Sequence, residues 1–169
     1  VCGKKPIPIS LDDYFLDREN TPRDETGEYD FEALEALDLK LFNQQLVKLI
    51  QGVEVEVPVF DFKKGVRTWV GRHLKVEPDQ PILIEGIHGL NPRLTPAIPK
   101  EKQFRIYISA LTQLNMDRHN RIPTTDTRLL RRIVRDNKFR SAKPEETILR
   151  WPSVRRGEER NIFPFQEEA

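Results

Sequence analysis

The apolar positions fall into short runs whose spacing changes from one part of the chain to the next. Pro6-Ile7-Pro8-Ile9-Ser10-Leu11 is extended, because its prolines reject a helix, and it stops abruptly at Asp12-Asp13-Tyr14-Phe15. This reads as a strand feeding a carboxylate pair. Residues Leu16 to Tyr29, rich in Asp, Glu, Arg, Pro and Gly, read as a polar excursion. Asp38 is placed to cap a helix in which Leu39, Phe42, Leu46 and Leu49 recur at helical spacing until Gly52 stops it. Val53 to Phe60 then alternates with period two, and Val66 to Val76 is a second extended stretch, so residues 53–76 predict a small β-ribbon.

Farther along, Pro81-Ile82-Leu83-Ile84 has the continuous apolar character of a strand covered on both faces, closed by Glu85-Gly86. Phe104 to Ala110 is another strand candidate, and Asn115 to Thr125 a polar connection. Thr125 or Asp126 opens a helix running to Asp136, with Leu129, Leu130, Ile133 and Val134 on one arc and Arg128, Arg131, Arg132 and Arg135 on the opposite one. Asn137 to Glu146 is polar and broken by proline, and Thr147 to Ile162 predicts a closing helix bearing Arg150, Arg155, Arg156 and Arg160. Strands alternating with helices predict an α/β layered fold with a mostly parallel sheet, in one domain over residues 1–169.

Composition narrows the class. With about a third of its residues charged and 37% hydrophobic, the chain has the balance of a globular protein rather than of a disordered or membrane one. No apolar run approaches the roughly 20 residues that span a bilayer, no signal-peptide stretch follows the N-terminus, and the chain reads as cytosolic. Cys2, the single cysteine, makes neither an internal disulfide nor a zinc pattern with His73, His88 or His119. Residues before about Phe60 carry roughly twice as many acids as bases, and Asp117 to Arg160 reverses the ratio, which predicts two sites of opposite character or ion pairs and solvated surface.

In open parallel sheets ligands gather beyond the carboxyl ends of the strands, where both Asp12-Asp13 and Glu85 fall. Oxygen ligands there suit Mg²⁺, which takes one or two protein carboxylates and completes its shell with water and phosphate. Helix capping or turn formation is the alternative use of the same residues. The arginine face, with Arg140 beyond it, offers fork-shaped donors for phosphate oxygens, or equally a solvated surface or a strip laid along nucleic acid. Tyr14, Phe15, Tyr29, Phe31, Phe60 and Phe62 are placed either to sandwich a planar ring or to pack the core.

Taken in order, Ser10-Leu-Asp-Asp-Tyr-Phe15, Pro58-Val-Phe-Asp-Phe62, Ile84-Glu-Gly-Ile87 and Asp126-Thr-Arg-Leu-Leu-Arg-Arg-Ile-Val-Arg-Asp136 resemble the uridine kinase and phosphoribulokinase family. The similarity runs from Pro6 to about Phe163, with an extra connection around Asn115 to Thr124. It is closer to longer bacterial kinases related to uridine kinase, in which such a domain is joined to a threonyl-tRNA-synthetase-like module, than to ordinary uridine kinases. The resemblance implies a three-layer P-loop NTPase-like fold, a ribbon for the acceptor and a helical lid at about residues 137–150. It implies transfer of the terminal phosphate of ATP to a nucleoside hydroxyl with Mg²⁺. By position, Asp12 matches the proton acceptor, Glu85 with Asp12 the metal site, and Arg132, Arg135 and Arg140 the phosphate-steadying arginines. Asp13, Tyr14, Tyr29, Asp30, Phe31, Glu32, Phe60, Phe62 and Arg67 fall in the acceptor-binding region, Glu32 or Asp30 matching the acidic ribose position.

The sequence departs from the family pattern in three places. No G-x-x-x-x-G-K-[ST] loop occurs in it, and the five residues before Pro6 do not replace one, so the first strand and phosphate loop are expected to lie upstream and the chain alone to be inactive. Gly65 stands where the family places a base-reading histidine, and Phe60 where it has tyrosine. Ala142 stands for a lid arginine. The resemblance admits an oligomer, and the rival expectation is a non-catalytic module whose arginine face binds RNA or a protein partner.

Overall fold

The computed structural model describes residues 3, 5–108 and 115–169. It forms two compact units, Val1–Ile106 with Gly157–Ala169, and Tyr107–Arg156. Among the described residues no helix is long and apolar enough to cross a membrane. Cys2, Ser109 and Ala110, on which sequence expectations rest, lie outside the described residues.

The first unit opens with β1 (Ile7–Ser10), which ends in a 3-10 turn over Leu11–Tyr14. Helix α1 (Leu39–Ile50) begins where expected: the Asp38 carboxylate accepts from the Leu41 N–H at 2.9 Å, and Gly52 follows in the left-handed conformation at φ +74°. Phe42, Gln45, Leu46 and Leu49 are its buried side chains. The ribbon consists of two short antiparallel pairs, β2 (Val55–Glu56) with β5 (His73–Leu74) and β3 (Val59–Asp61) with β4 (Val66–Thr68). Its alternation is what a half-buried hairpin requires. Strand β6 (Ile82–Glu85) lies parallel to β1 in the register Ile7↔Ile82 through Ser10↔Glu85. The core joins these elements: Ile9, Leu11, Tyr14, Phe42, Leu46, Leu49, Val55 and Val57 belong to one buried cluster. Fully burying side chains of this size stabilises by roughly 1.5–3 kcal/mol each.

Three expectations are corrected in the sheets. The described strands make three two-stranded sheets, of which only β1–β6 is parallel, so no mostly parallel sheet is formed by them. Strand β6 is not covered on both faces, for Leu83 is 48% exposed. Phe104 to Ile108 is not a strand, and its apolar positions point outward, Phe104 being 90% exposed. Alternation alone does not make a strand. Hydrogen bonding to a neighbour does, and this stretch has no ladder.

The second unit holds α2 (Thr124–Arg140) and most of α3 (Pro144–Asn161), whose residues from Gly157 belong to the first unit. Helix α2 follows Pro123 with no side-chain cap, rather than starting at a Thr125 or Asp126 cap, and it runs four residues past Asp136. The polar stretch 137–146 therefore shrinks to a three-residue turn, Ser141 to Lys143, with Ser141 left-handed at φ +54°. Pro144 starts the next helix instead of breaking one. Its missing N–H costs nothing in the first helical turn.

Candidate functional site

In-register parallel pairing brings the chain out of β1 and β6 at the same edge. The Ser10 hydroxyl donates to the Glu85 carboxylate there, and Asp12 follows two residues later in the 3-10 turn. Adjacent strands run roughly 4.8 Å apart, so the Asp12 and Glu85 segments leave from neighbouring positions. Gly86 makes this close approach possible. It sits at φ +148°, and a Cβ built on it would lie 2.7 Å from the Leu11 Cβ. Leu11, wedged against Gly86, thus ties the segment carrying Asp12 to the segment carrying Glu85.

The carboxylate pair expected from the sequence divides its work. Asp13 pairs with Arg72 at 3.0 Å and accepts from the Phe60 N–H at 3.4 Å, fastening the 3-10 turn to the ribbon. Tyr14 is in the core: its hydroxyl donates to Gln45 at 2.7 Å, its ring meets Phe42 edge-on at 5.1 Å, and burial pushes its pKa up to about 12. The neighbouring Asp13 charge acts in the same direction, against Arg72 and Arg67. Gln45 is itself held by donation to the Glu56 carbonyl at 2.8 Å. Arg67 pairs with Asp38 at 2.9 Å, so the α1 cap is also an anchor for the ribbon.

The aromatic residues of the acceptor region gather in two groups. Phe15, Phe60 and Phe62 form one, with centroids 5.1–6.4 Å apart, and Tyr29 and Phe31 the other, at 5.9 Å, with the Arg23 guanidinium 4.2 Å over the Tyr29 ring. Asp30 accepts from the Glu32 N–H at 3.1 Å. Glu32 lies beneath the end of α3, where Asn161 donates to its carbonyl at 2.7 Å and a Cβ on Gly157 would meet its own Cβ at 2.5 Å. At the ribbon tip Gly65 has φ +71°, and the space a side chain would fill is taken by the Arg18 guanidinium, 2.8 Å from the Cβ position. Arg18 also donates its backbone N–H to the Gly65 carbonyl at 2.8 Å.

In the second unit, Arg132, Arg135 and Arg140 converge on one carboxylate, Asp136, at 3.3, 3.1 and 3.7 Å. The sharp division of faces expected for this helix is corrected: Leu130 and Val134 are 60% and 58% exposed, whereas Asp136 is buried. The guanidiniums of Arg132, Arg135 and Arg140 fold back to meet the buried charge.

Sequence reasoning missed Arg18, Arg72, Asp38 as the partner of Arg67, and Asp136. Asp136 had a signal in its i,i+4 spacing from Arg132 and to Arg140, but the Asp13–Arg72 contact spans 59 residues and leaves no local trace.

Among the described residues no group of three or more His, Cys, Asp or Glu side chains stands together as a metal cage. Asp12 and Glu85 stand on segments that leave the same sheet edge, and carboxylate oxygen is the donor type a hard cation such as Mg²⁺ takes, one or two at a time with water and phosphate completing its shell.

Residues 9–166 match the Phosphoribulokinase / Uridine kinase family. The chain is 26% identical over 152 residues to the uridine kinase of Ligilactobacillus salivarius (strain UCC118), covering 90% of this chain and 63% of that one. It is 27% identical over 134 residues to the uridine kinase of Halobacterium salinarum (strain ATCC 700922 / JCM 11081 / NRC-1), covering 79% and 52%. It is also 30% identical over 140 residues to the inorganic pyrophosphatase TTM2 of Arabidopsis thaliana, covering 83% of this chain and 17% of that protein. The chain thus spans less than two thirds of the length of these curated relatives. With motif order, strand-end carboxylates and a match over nearly its whole length in agreement, the chain belongs to the Phosphoribulokinase / Uridine kinase family.

Proposed function

We propose that the protein containing this chain transfers the terminal phosphoryl group of ATP to a hydroxyl of a nucleoside or a similar small acceptor, on a three-layer P-loop NTPase-like fold in the cytosol. The observation that carries the reading is the Ser10↔Glu85 register, with Asp12 two residues beyond it. In this reading the acceptor oxygen bonds to the γ-phosphorus as the bond to the β,γ-bridging oxygen breaks, and the acceptor proton passes to the Asp12 carboxylate. Glu85, with Asp12, would hold Mg²⁺, which when bound offsets the charge of the phosphates. The family resemblance assigns Arg132, Arg135 and Arg140 to the phosphates, and the turn between α2 and α3 with its flanking helix ends to the lid. Such transfer relies chiefly on positioning and electrostatic stabilisation, for which carboxylates, guanidiniums and a cation suffice.

The acceptor-binding set is narrowed by the hydrogen bonds. Asp13, Tyr14 and Arg67 are engaged with Arg72, Gln45 and Asp38 and act as frame. Tyr29, Asp30, Phe31, Glu32, Phe60 and Phe62 are the half-buried residues assigned to the acceptor. A guanidinium over Gly65 in place of a side chain from that position favours an acceptor edge rich in carbonyl or anionic oxygen. The rival reading, an arginine face laid on RNA, draws on the same guanidiniums gathered at Asp136, and the two readings differ in what the protein binds and turns over.

The test is acceptor-dependent release of ADP from Mg-ATP by the full-length gene product, across a panel of nucleosides and their oxygen-rich analogues. Release stimulated by one acceptor class is expected. A panel in which no hydroxyl compound stimulates release, with RNA bound in a salt-dependent manner, would replace this reading by the rival one.

A further inference from the structure

Asp136 is the only buried side chain of α2, and it is an acid. It stands in the last turns of a helix, where the macrodipole disfavours negative charge and favours the arginines around it. A buried carboxylate persists only when its charge is met. Arg132 Nε lies 3.3 Å from Oδ2, Arg135 Nε and Nη2 each 3.1 Å from Oδ1, and Arg140 Nη1 3.7 Å from Oδ1. The backbone carbonyl of the same residue accepts from the Ser141 and Ala142 N–H groups, so Asp136 also closes the helix at the turn leading to α3.

We propose that Asp136 is a positioning residue: it holds three guanidiniums in one cluster, so that a di- or triphosphate meets gathered fork donors instead of three independently mobile side chains. This rests on the reading that these arginines contact phosphate, and extends it by naming what assembles them. Three arginines and one aspartate leave a local formal charge of +2, attractive to a polyphosphate. Arginine side chains carry large rotamer freedom, and ordering them before the ligand arrives removes that cost from binding.

Charge and positioning make opposite predictions when the carboxylate is removed. Asp136→Ala raises the local charge to +3, so if Asp136 only dilutes the positive field the variant binds polyphosphate more tightly. If it positions the arginines, the variant binds more weakly despite the added charge. The experiment is titration calorimetry of the whole chain with inorganic tripolyphosphate, for the wild type, Asp136→Ala and Asp136→Asn, with exchange mass spectrometry of α2 peptides alongside. The expected result is affinity at least about tenfold weaker for Asp136→Ala, with Asp136→Asn in between because its amide oxygen keeps one acceptor, and α2 protected in both. Equal or tighter binding by Asp136→Ala overturns the inference, as does a loss of affinity that tracks loss of α2 protection in both variants, which makes Asp136 a helix staple. A wild-type chain that ignores tripolyphosphate overturns the inference together with the arginine reading beneath it, whereas acceptor-dependent ADP release tests the kinase reading separately.

Discussion

His88 links the stability of the first unit to pH. It follows β6 in the turn after Glu85, is 1% exposed, and has no hydrogen-bond partner of proper geometry on either ring nitrogen. Burial drives its pKa down from 6.5 to about 4, against the pull of the Ala33 backbone and of the Glu35 and Asp30 charges toward the protonated ring. The folded pKa is thus below the unfolded one. The contribution of the neutral ring is fully present above pH 6.5 and is lost as the pH falls toward 4, because the unfolded chain takes up a proton that the folded one refuses. Between about pH 8 and pH 5 the difference amounts to about 1.5 pH units at 1.36 kcal/mol each, or roughly 2 kcal/mol of unfolding free energy. Glu35, Asp61 and Asp117, all held below their usual range by hydrogen bonds, matter only as the pH falls through the carboxylate range. Urea unfolding followed by exchange mass spectrometry of α1 peptides should show this loss in the wild type. His88→Leu removes two orphaned ring nitrogens and should flatten the dependence, with stability at pH 8 within about 1 kcal/mol of the parent. An equal slope in His88→Leu and wild type would refute the assignment.

Gly86→Ala forces a Cβ into Leu11 and a side chain into an unfavourable backbone conformation, and should destabilise by roughly 2–4 kcal/mol in thermal melts. Turnover should fall further than stability explains, because Leu11 leads directly into Asp12; a variant as stable and active as the parent would show that the Leu11 contact sets nothing. Tyr14→Phe removes the bond to Gln45, leaves that buried amide without its donor and should cost roughly 1–2 kcal/mol by urea unfolding, with acceptor KM unchanged. A raised KM at unchanged stability would return Tyr14 to the acceptor site.

What could be read from the sequence was local. Asp38, Gly52 and the spacing of Phe42, Leu46 and Leu49 specify α1 because capping, the left-handed stop and the apolar stripe act within a few residues. The ribbon was legible in the alternation of Val53 to Phe60, and Asp12 and Glu85 as strand-end carboxylates in the abrupt change from apolar to acidic residues. What required partners was not legible. Phe104 to Ile108 has the alternation of a strand but no ladder. Pro144 looked like a breaker because its meaning depends on whether it starts or interrupts a helix. Asp13 was placed in the acceptor region, and its pairing with Arg72, distant in the chain, left no trace in the sequence. The expected division of faces on this helix gave no sign that Asp136 would be its buried side chain, because that burial depends on the guanidiniums of Arg132, Arg135 and Arg140 meeting its charge.

The claim on which the account depends is that Asp12 accepts the proton of the acceptor hydroxyl beside a cation held at Glu85. The direct measurement is single-turnover phosphoryl transfer from Mg-ATP by the full-length protein, comparing wild type with Asp12→Asn while ATP affinity is followed separately. The account predicts a rate lower by about 10²–10⁴-fold with ATP affinity retained. A rate within about twofold of wild type would contradict it, whatever acceptor is used.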